Sequence, residues 1–514
     1  MARTGRRTRD AARERMEENG VIPQIPFQEV RNPYPPVEII STDQLEAIHL
    51  ASLRVLEDIG INFLLEEARD IWREAGADVK PGDPRVRFDR NLIEDLIRHA
   101  PSEFTLHARN PARNIMVGGN RIVFGSVGSP PNATDLDRGR RGGNYEDYSN
   151  FMRLVQQLNV CHMMSGYPVE PVDIEPNIRH LEALRTASVL TDKVIFGYSL
   201  GRRRILDAIK IAQIAGQVSD EALWDKPCIS TVVNANSPLQ YDIPMLIGMI
   251  EMSKRGLPII ITPFTLAGAM APVTVAGALV QQNAEALAGI AFCQAVKKGA
   301  RVLYGGFTSN VDMKTGAPAF GTPEYSQAVL IGGQLARRYN IPYRASNVNA
   351  SNAPDAQAAW ESSNSLWSCV MGHCNMVKHG LGWLEGGLSA SFEKMIIDAE
   401  MIQMMIAFLK PLEISDDAFG LDAMADVGPG GHFFGTAHTL ARYETAFNPP
   451  VLADWSNYET WAEKGSLTAD QRANKVYKAL LSSHEEPAMD ESVREELDAF
   501  VDRRIAEGGA GMDD

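Results

Sequence analysis

The chain has 514 residues, 45% of them hydrophobic and 22% charged, with 65 acidic against 50 basic side chains and a net charge of −15. That composition provides for one large core or two moderate ones and excludes disorder over most of the length. Basic residues cluster only in the first fifteen positions (Arg3, Arg6, Arg7, Arg9, Arg13 and Arg15), which excludes a nucleic-acid groove in the body of the protein.

This basic arm has no apolar central region and includes Asp10, Glu14, Glu17 and Glu18. Residues 1–40 therefore read as a flexible, solvated or subunit-clasping extension and not as a targeting signal. The longest apolar stretch, Phe264 to Phe292, is interrupted by Pro272, Gln281, Gln282, Asn283 and Glu285, too polar for a bilayer span. Five cysteines without a secretion signal (Cys161, Cys228, Cys293, Cys369 and Cys374) fit a reducing cytoplasm and no disulfide framework.

After the proline-rich NPYPPVEII, Ser41 or Thr42 is placed to cap a helix carrying Leu45, Ile48, Val55, Leu56 and Ile59 at helical spacing. Two further helical patterns, near Glu66 to Ala75 and Asp89 to His99, complete a predicted helical region over 41–115. The pattern then becomes short apolar runs, each followed by a Gly/Ser/Asn/Pro segment and an amphipathic stretch of helix length. There are eight: RIVFGSVG from Arg121, CHMMSGY from Cys161, KVIFGYS from Lys193, CISTVVNA from Cys228, LPIIITPF from Leu257, RVLYGGFT from Arg301, IPYRAS from Ile341 and CNMVKHGLG from Cys374.

Successive starts lie roughly 30 to 45 residues apart, the length of one strand plus one crossover helix. An open doubly wound sheet has the same local pattern. The count of eight, and no Gly-x-Gly-x-x-Gly turn after the first strand, point instead to an α/β protein with a (β/α)8 TIM barrel over 116–400. Beyond it, residues 401–514 read as a C-terminal helical region interrupted by the glycine loop DVGPGGHFFGTAHT.

In a barrel, functional side chains gather at the carboxyl ends of the strands. That rule selects Tyr167, Tyr198, Asn234, Asn236, Phe264, Thr265, Phe307, Thr308 and Asn310 after the first six strands. It adds Arg344, Ser346, Asn347 and Asn349 after the seventh, and His379, Trp383 and Glu385 after the eighth. No pair of strand-end carboxylates, no Gly-x-Ser-x-Gly elbow and no His-Glu-x-x-His helix is present. Aromatics, amides and one arginine suit a small organic cation with an attached carboxylate, although an aromatic at a strand end, taken alone, is more often core or rim than cage. Cys369, His373 and Cys374 are a zinc-type trio without an evident further ligand, and no metal site is assigned; His432 and His438 flank the glycine loop without an assigned role.

Four separated motifs carry a family resemblance: IPYRASNVNASNAPDAQAAWESS, DMKTGAPAFGTPEY, GWLEGGLSASFEKMIIDAEM and VGPGGHFFGTAHT. Together they resemble the trimethylamine methyltransferase superfamily, whose members are similar to barrels that move a methyl group from a methylamine onto the cobalt of a partner corrinoid protein. The resemblance implies cob(I)alamin carried by that partner, and no tightly bound cofactor in this chain. Trimethylamine enzymes of this kind carry pyrrolysine in a late loop. This sequence has only standard residues there and looks like the members that act on glycine betaine or related quaternary amines.

A quaternary ammonium already contains a neutral leaving group, so the resemblance implies a positioning mechanism with no catalytic acid or base assigned. In that mechanism Tyr167, Tyr198, Phe264, Phe307 and Trp383 form an aromatic wall, with His379 beside them, and Arg344, Asn347 and Asn349 hold the substrate carboxylate. Glu324 and Glu385 either compensate positive charge or pin loops, and Asp355 and Gln357 fix the loop before the next helix. A homo-oligomer is expected, with no nucleic-acid or membrane partner. The alternatives are a non-catalytic quaternary-amine binder and a methyltransferase for a tertiary methylamine.

Overall fold

A computed structural model describes residues 22–511, so the basic cluster from Arg3 to Arg15 lies outside the described residues. Where the chain enters the described part, Ile22 and Asn32 are buried and Val30–Arg31 (β1) pairs antiparallel with Arg121–Ser126 (β2). Val30–Arg31, within the proposed arm, are thus part of the sheet. Ser41 caps helix α1 (Thr42–Arg54) through a capping box with Gln44, one of the two caps expected. The helix runs on as one π-turn, Val55–Ile59, and stops at Gly60, whose φ of +80° suits glycine. Helices α2 (Glu66–Glu74) and α3 (Arg90–Ile97) follow where the apolar spacing placed them.

Six more strands complete the main sheet: β3 (Ile195–Phe196), β4 (Ile229–Val233), β5 (Ile259–Ile261), β6 (Val302–Gly305), β7 (Tyr343–Ser346) and β8 (Met376–Leu381). The sheet is curled and runs β1-β2-β8-β7-β6-β5-β4-β3, parallel throughout except at β1. Such strands are apolar on both faces because helices cover one side and the core fills the other, as the buried Ile259, Ile260 and Ile261 illustrate.

Seven of the eight predicted strands are therefore members of this sheet. The eighth member is the unpredicted β1, and CHMMSGY contributes only single-residue parallel bridges from Met163 to Gly125 and to Val194. The observed fold is a mixed α/β fold around a curled, mostly parallel eight-stranded sheet, a coarser result than the expected barrel. The helices between its strands are α4 (Tyr145–Gln157), α5 (Arg179–Leu190), α6 (Arg202–Gly216), α7 (Ile243–Lys254), α8 (Val275–Val296), α9 (Pro323–Tyr339) and α10 (Ala356–Met371). Helix α11 (Phe392–Phe408) follows β8 and packs on α12 (Ala469–Ser482), and α13 (Glu491–Ala506) packs on α5 and α6. The segment between α11 and α12 leaves large apolar side chains in water, among them Leu412 (81% exposed), Phe434 (84%) and Phe447 (83%).

Inside the curl, Val123, Met163, Val194, Ile260, Leu303 and Met376 pack as one apolar floor with Phe104, Leu106, Ile115 and Val117 of a neighbouring hairpin. Two residues further along each strand, on the same face, stand Gly125, Ser165, Phe196, Thr262, Gly305 and Lys378. Most of these are small. A Cβ added to Gly305 falls 2.1 Å from Thr262 Oγ1 and 2.5 Å from the Ile261 carbonyl oxygen. Gly305→Ala is expected to lower stability by about 1 to 3 kcal/mol through overpacking; an unchanged denaturation midpoint by circular dichroism contradicts this layer.

Candidate functional site

The carboxyl ends of the strands differ from the floor because β8 does not finish regularly. Its pairing with β2 shifts register between Val377 and Leu381, and His379 adopts φ +55°, a left-handed position rare for a non-glycine residue. The kink lays the imidazole against the Trp383 indole, centroid to centroid 4.2 Å, with Nδ1 3.1 Å from Ser346 Oγ on β7. Burial, followed by the charges of Arg344 and Lys378, holds the His379 pKa well below its ordinary value, so the ring is neutral.

Phe307, just past β6, is the centre of an aromatic group. Its ring lies 5.1 Å from Phe264, 5.6 Å from Phe320, 6.1 Å from His379 and 6.3 Å from Trp383. Four of the predicted site residues are thereby brought together. Arg344 of β7 joins them, its Cζ 5.3 Å from the Phe307 ring centroid. Tyr167 and Tyr198 form a second group, 4.6 Å apart, with Phe196 5.3 Å from Tyr198. The Tyr198 hydroxyl accepts from the Tyr167 amide at 2.9 Å and pairs with Ser129 Oγ at 2.5 Å. Lys378 connects the groups: it is the residue before His379, and its Nζ lies 4.0 Å from the Phe196 ring centroid.

Arg344 is 2% exposed, yet its Nε and Nη1 have no hydrogen-bond partner, and Trp383 Nε1 is equally unpartnered. Buried donors without acceptors are rare, and here three stand beside one aromatic group. Burial lowers the Arg344 pKa without neutralising a guanidinium.

The amides behave differently from expectation. Asn347 Nδ2 donates to the Gly380 carbonyl at 3.0 Å, and Asn349 Nδ2 donates to the Trp383 carbonyl at 2.8 Å and Ser362 Oγ at 3.2 Å. Only their Oδ1 atoms remain unpartnered, and an acceptor oxygen repels a carboxylate. Both residues are thus tied into the strand ends. Beneath them lies a fully buried ion pair on α11: Lys394 Nζ contacts Asp398 and donates to Ser362 Oγ at 2.8 Å, while Asp398 accepts from the Gly382 amide at 2.8 Å.

Of the acids, Glu385 is paired with Arg140 at 2.9 Å, and Glu324 lies in the first turn of α9 with no hydrogen-bond or ion-pair partner among the described residues. Asp355 caps α10 through the Ala358 amide at 3.1 Å, and Gln357 donates to Glu361, whose other oxygen accepts from the amides of Ala350 and Ser351. Asn236 and Asp242 bond reciprocally, Thr265 bonds Thr308, and Asn310 accepts from Thr322; Asn234 is exposed. Cys369 and Cys374 donate to strand carbonyls and His373 bonds the Tyr34 carbonyl at 2.8 Å. Among the described residues no group of three His, Cys, Asp or Glu is arranged to hold a metal. His432 is exposed and His438 bonds the Asp417 carbonyl, both in the apolar segment after α11.

Three residues escaped the sequence reading. Phe320 and Tyr325 both lie in DMKTGAPAFGTPEY, which was noted only as a motif. Ser309–Val311 pairs with Pro318–Ala319 and folds Phe320 onto Phe307, and the Tyr325 hydroxyl donates to the Ser346 carbonyl at 2.6 Å. Lys378 is the third, with no signal beyond a lysine inside an apolar strand.

A curled parallel sheet whose strand ends present aromatic rings and unpaired buried donors is the framework of a small-molecule site. A family model described as trimethylamine methyltransferase (MTTB) matches residues 3–509. Glycine betaine methyltransferase of Desulfitobacterium hafniense (strain Y51) is 36% identical over 476 residues, covering 92% of this chain and 98% of that protein. Trimethylamine methyltransferase MttB of D. hafniense (strain DSM 10664 / DCB-2) is 30% identical over 472 residues, covering 91% and 94%. The crystal structure of the Methanosarcina barkeri monomethylamine methyltransferase superposes with a TM-score of 0.48 at 12% identity, over 85% of this chain and 92% of that one. This chain belongs to the trimethylamine methyltransferase family and is a methyltransferase. None of the described helices is long and apolar enough to cross a membrane, and all five cysteines are buried and unpaired.

Proposed function

We propose that the protein transfers a methyl group from a quaternary amine, glycine betaine or a related betaine, to the cob(I)alamin of a partner corrinoid protein. The observation that carries this reading is the buried, unpartnered Arg344 guanidinium packed against the Phe307 ring, which offers a carboxylate seat beside an aromatic cation wall. The relative named glycine betaine methyltransferase supports the substrate class. We read the framework as a (β/α)8 barrel, supported by the seven parallel strands β2 to β8 with helices between them and by the two bridges that set Met163 between β2 and Val194.

Co(I) supplies the nucleophile: its electron pair forms the cobalt–carbon bond, the carbon–nitrogen bond breaks, and its pair stays on nitrogen as a neutral tertiary amine. The chain itself has to orient one N–methyl group toward the mouth and keep water out. Arg344 anchors the carboxylate end; Phe264, Phe307, Phe320 and Trp383 face the ammonium, with the neutral His379 holding the indole in place. Tyr167 and Tyr198 line the opposite side. The acceptor oxygens of Asn347 and Asn349 suit the positive N-methyl groups better than the carboxylate, while Glu324 is free to offset charge at the rim. A tertiary amine needs protonation or an adduct before it leaves, and neutral His379 does not provide the proton.

Phe307→Ala is expected to raise the KM for the amine by about 10- to 30-fold, the loss of a desolvated cation–π contact worth up to ~2 kcal/mol. An unchanged KM contradicts the wall. Substrate class is tested by mixing the purified protein with free cob(I)alamin and, in separate reactions, glycine betaine, proline betaine, carnitine, choline and trimethylamine. Formation of methylcobalamin, followed by its absorbance, is expected with one or more betaines. Reaction with trimethylamine alone selects the tertiary-amine reading, and tight betaine binding without transfer selects the binder.

A further inference from the structure

Among the described residues three lysines are buried, and two have obvious partners. Lys193 Nζ donates to the carbonyls of Val155, Leu158 and Cys161 at 2.6 to 2.9 Å, and Lys394 contacts Asp398 and Ser362. Lys378 is 2% exposed, and its Nζ has no hydrogen-bond or ion-pair partner among the described residues; it lies over the Phe196 ring. Burial without an acceptor favours the neutral amine of such a lysine, and an anion brought beside it favours the ammonium.

Lys378 stands on β8 and Arg344 on the adjacent β7, where Arg344 pairs in register with Met376 and Ser346 pairs with Lys378. By alternation Arg344, Met376 and Lys378 share the concave face. Burial, followed by the Arg344 charge, lowers the Lys378 pKa, and burial, followed by Arg344 and Lys378, lowers that of His379. Three acids around these strand ends are already engaged. Asp398 is held by Lys394, Glu361 by backbone amides and Gln357, and Glu385 by Arg140.

We infer that Lys378 and Arg344 form a two-cation anion seat that admits the substrate by its carboxylate and discriminates against methylammonium compounds that carry no anion. The inference rests on the betaine reading above and sharpens it. A zwitterion brings a negative charge to both groups, whereas choline, tetramethylammonium or protonated trimethylamine brings only further positive charge beside Arg344. Trp383 Nε1, also unpartnered, provides a further donor for the same oxygens. The aromatic rings then select the other end.

The test separates the two ends by titrating the full chain calorimetrically with 3,3-dimethylbutyrate, which replaces the ammonium nitrogen of glycine betaine by carbon and keeps the carboxylate, and with tetramethylammonium, which keeps only the cation. The wild type is expected to bind 3,3-dimethylbutyrate, Lys378→Met to weaken that binding at least about tenfold, and Lys378→Arg to restore most of it. Tetramethylammonium is expected to bind Lys378→Met as well as or better than wild type, a result that misfolding does not produce. Equal binding of 3,3-dimethylbutyrate to wild type and Lys378→Met, no binding to wild type, or parallel loss of both probes in Lys378→Met overturns the inference. Neither probe involves methyl transfer, so the seat stands or falls separately from the reaction: anion binding that depends on Lys378 without any transfer from betaines refutes the methyltransferase reading and leaves the seat in place.

Discussion

Arg344→Met is expected to abolish turnover and to raise thermal stability in the same variant. Removing the guanidinium takes away the anchor of the substrate carboxylate inside a water-poor chamber, where a charge-assisted contact is worth about 3 to 4 kcal/mol, a hundred- to thousandfold in kcat/KM. In the free protein the same group is 2% exposed with Nε and Nη1 unpartnered, so its burial is uncompensated. A methionine of similar length removes that penalty and packs against Phe307 and the floor residue Met376, raising stability by about 1 to 4 kcal/mol. Opposite signs for function and stability are the signature of a site residue held at a structural cost. Thermal melts and steady-state rates on one preparation test it, and a variant both inactive and destabilised shows that Arg344 is a structural group.

Asp398→Asn is expected to behave in the contrary way, with a loss of stability of about 3 to 5 kcal/mol. It leaves Lys394 charged, fully buried and without its counterion, and breaking a buried pair by removing one member costs far more than the pair is worth. The damage reaches the site because Lys394 also donates to Ser362, which accepts from Asn349, which in turn donates to the Trp383 carbonyl. The double variant Lys394→Met with Asp398→Leu removes both charges and is expected to recover most of the stability. Chemical denaturation of the wild type, Lys394→Met, Asp398→Leu and their double supplies a complete cycle, and a double as unstable as the sum of those two singles contradicts the account.

The repeating strand–helix spacing was legible because a parallel sheet buried on both faces writes each strand as an unbroken apolar run; RIVFGSVG and CNMVKHGLG, at the two ends of the repeat, are β2 and β8. CHMMSGY carries the same signal but pairs at Met163 alone, and no local pattern distinguishes a strand from a single bridge. Nor does any pattern announce β1, a two-residue strand in a proline-rich lead. The aromatic candidates after the fifth, sixth and eighth strands are neighbours in space because the strand ends converge, a property of the framework and readable from it. Phe320 is not readable that way, since a hairpin carries it back to Phe307 from the far side of a loop. Glu385, read as either a compensating charge or a loop pin, pairs with Arg140 of a hairpin packed beside it, a partner remote in sequence. Lys378 was invisible for a different reason: an unpartnered buried cation is defined by what is absent around it, and sequence does not display absences in space.

The measurement that bears most directly on the account is methyl transfer from glycine betaine bearing trideuterated methyl groups to free cob(I)alamin, catalysed by the purified chain. The account predicts trideuteromethylcobalamin and labelled dimethylglycine appearing one for one by mass spectrometry, in an amount that depends on Arg344. No labelled cobalamin above the enzyme-free control from this substrate or any other betaine contradicts it.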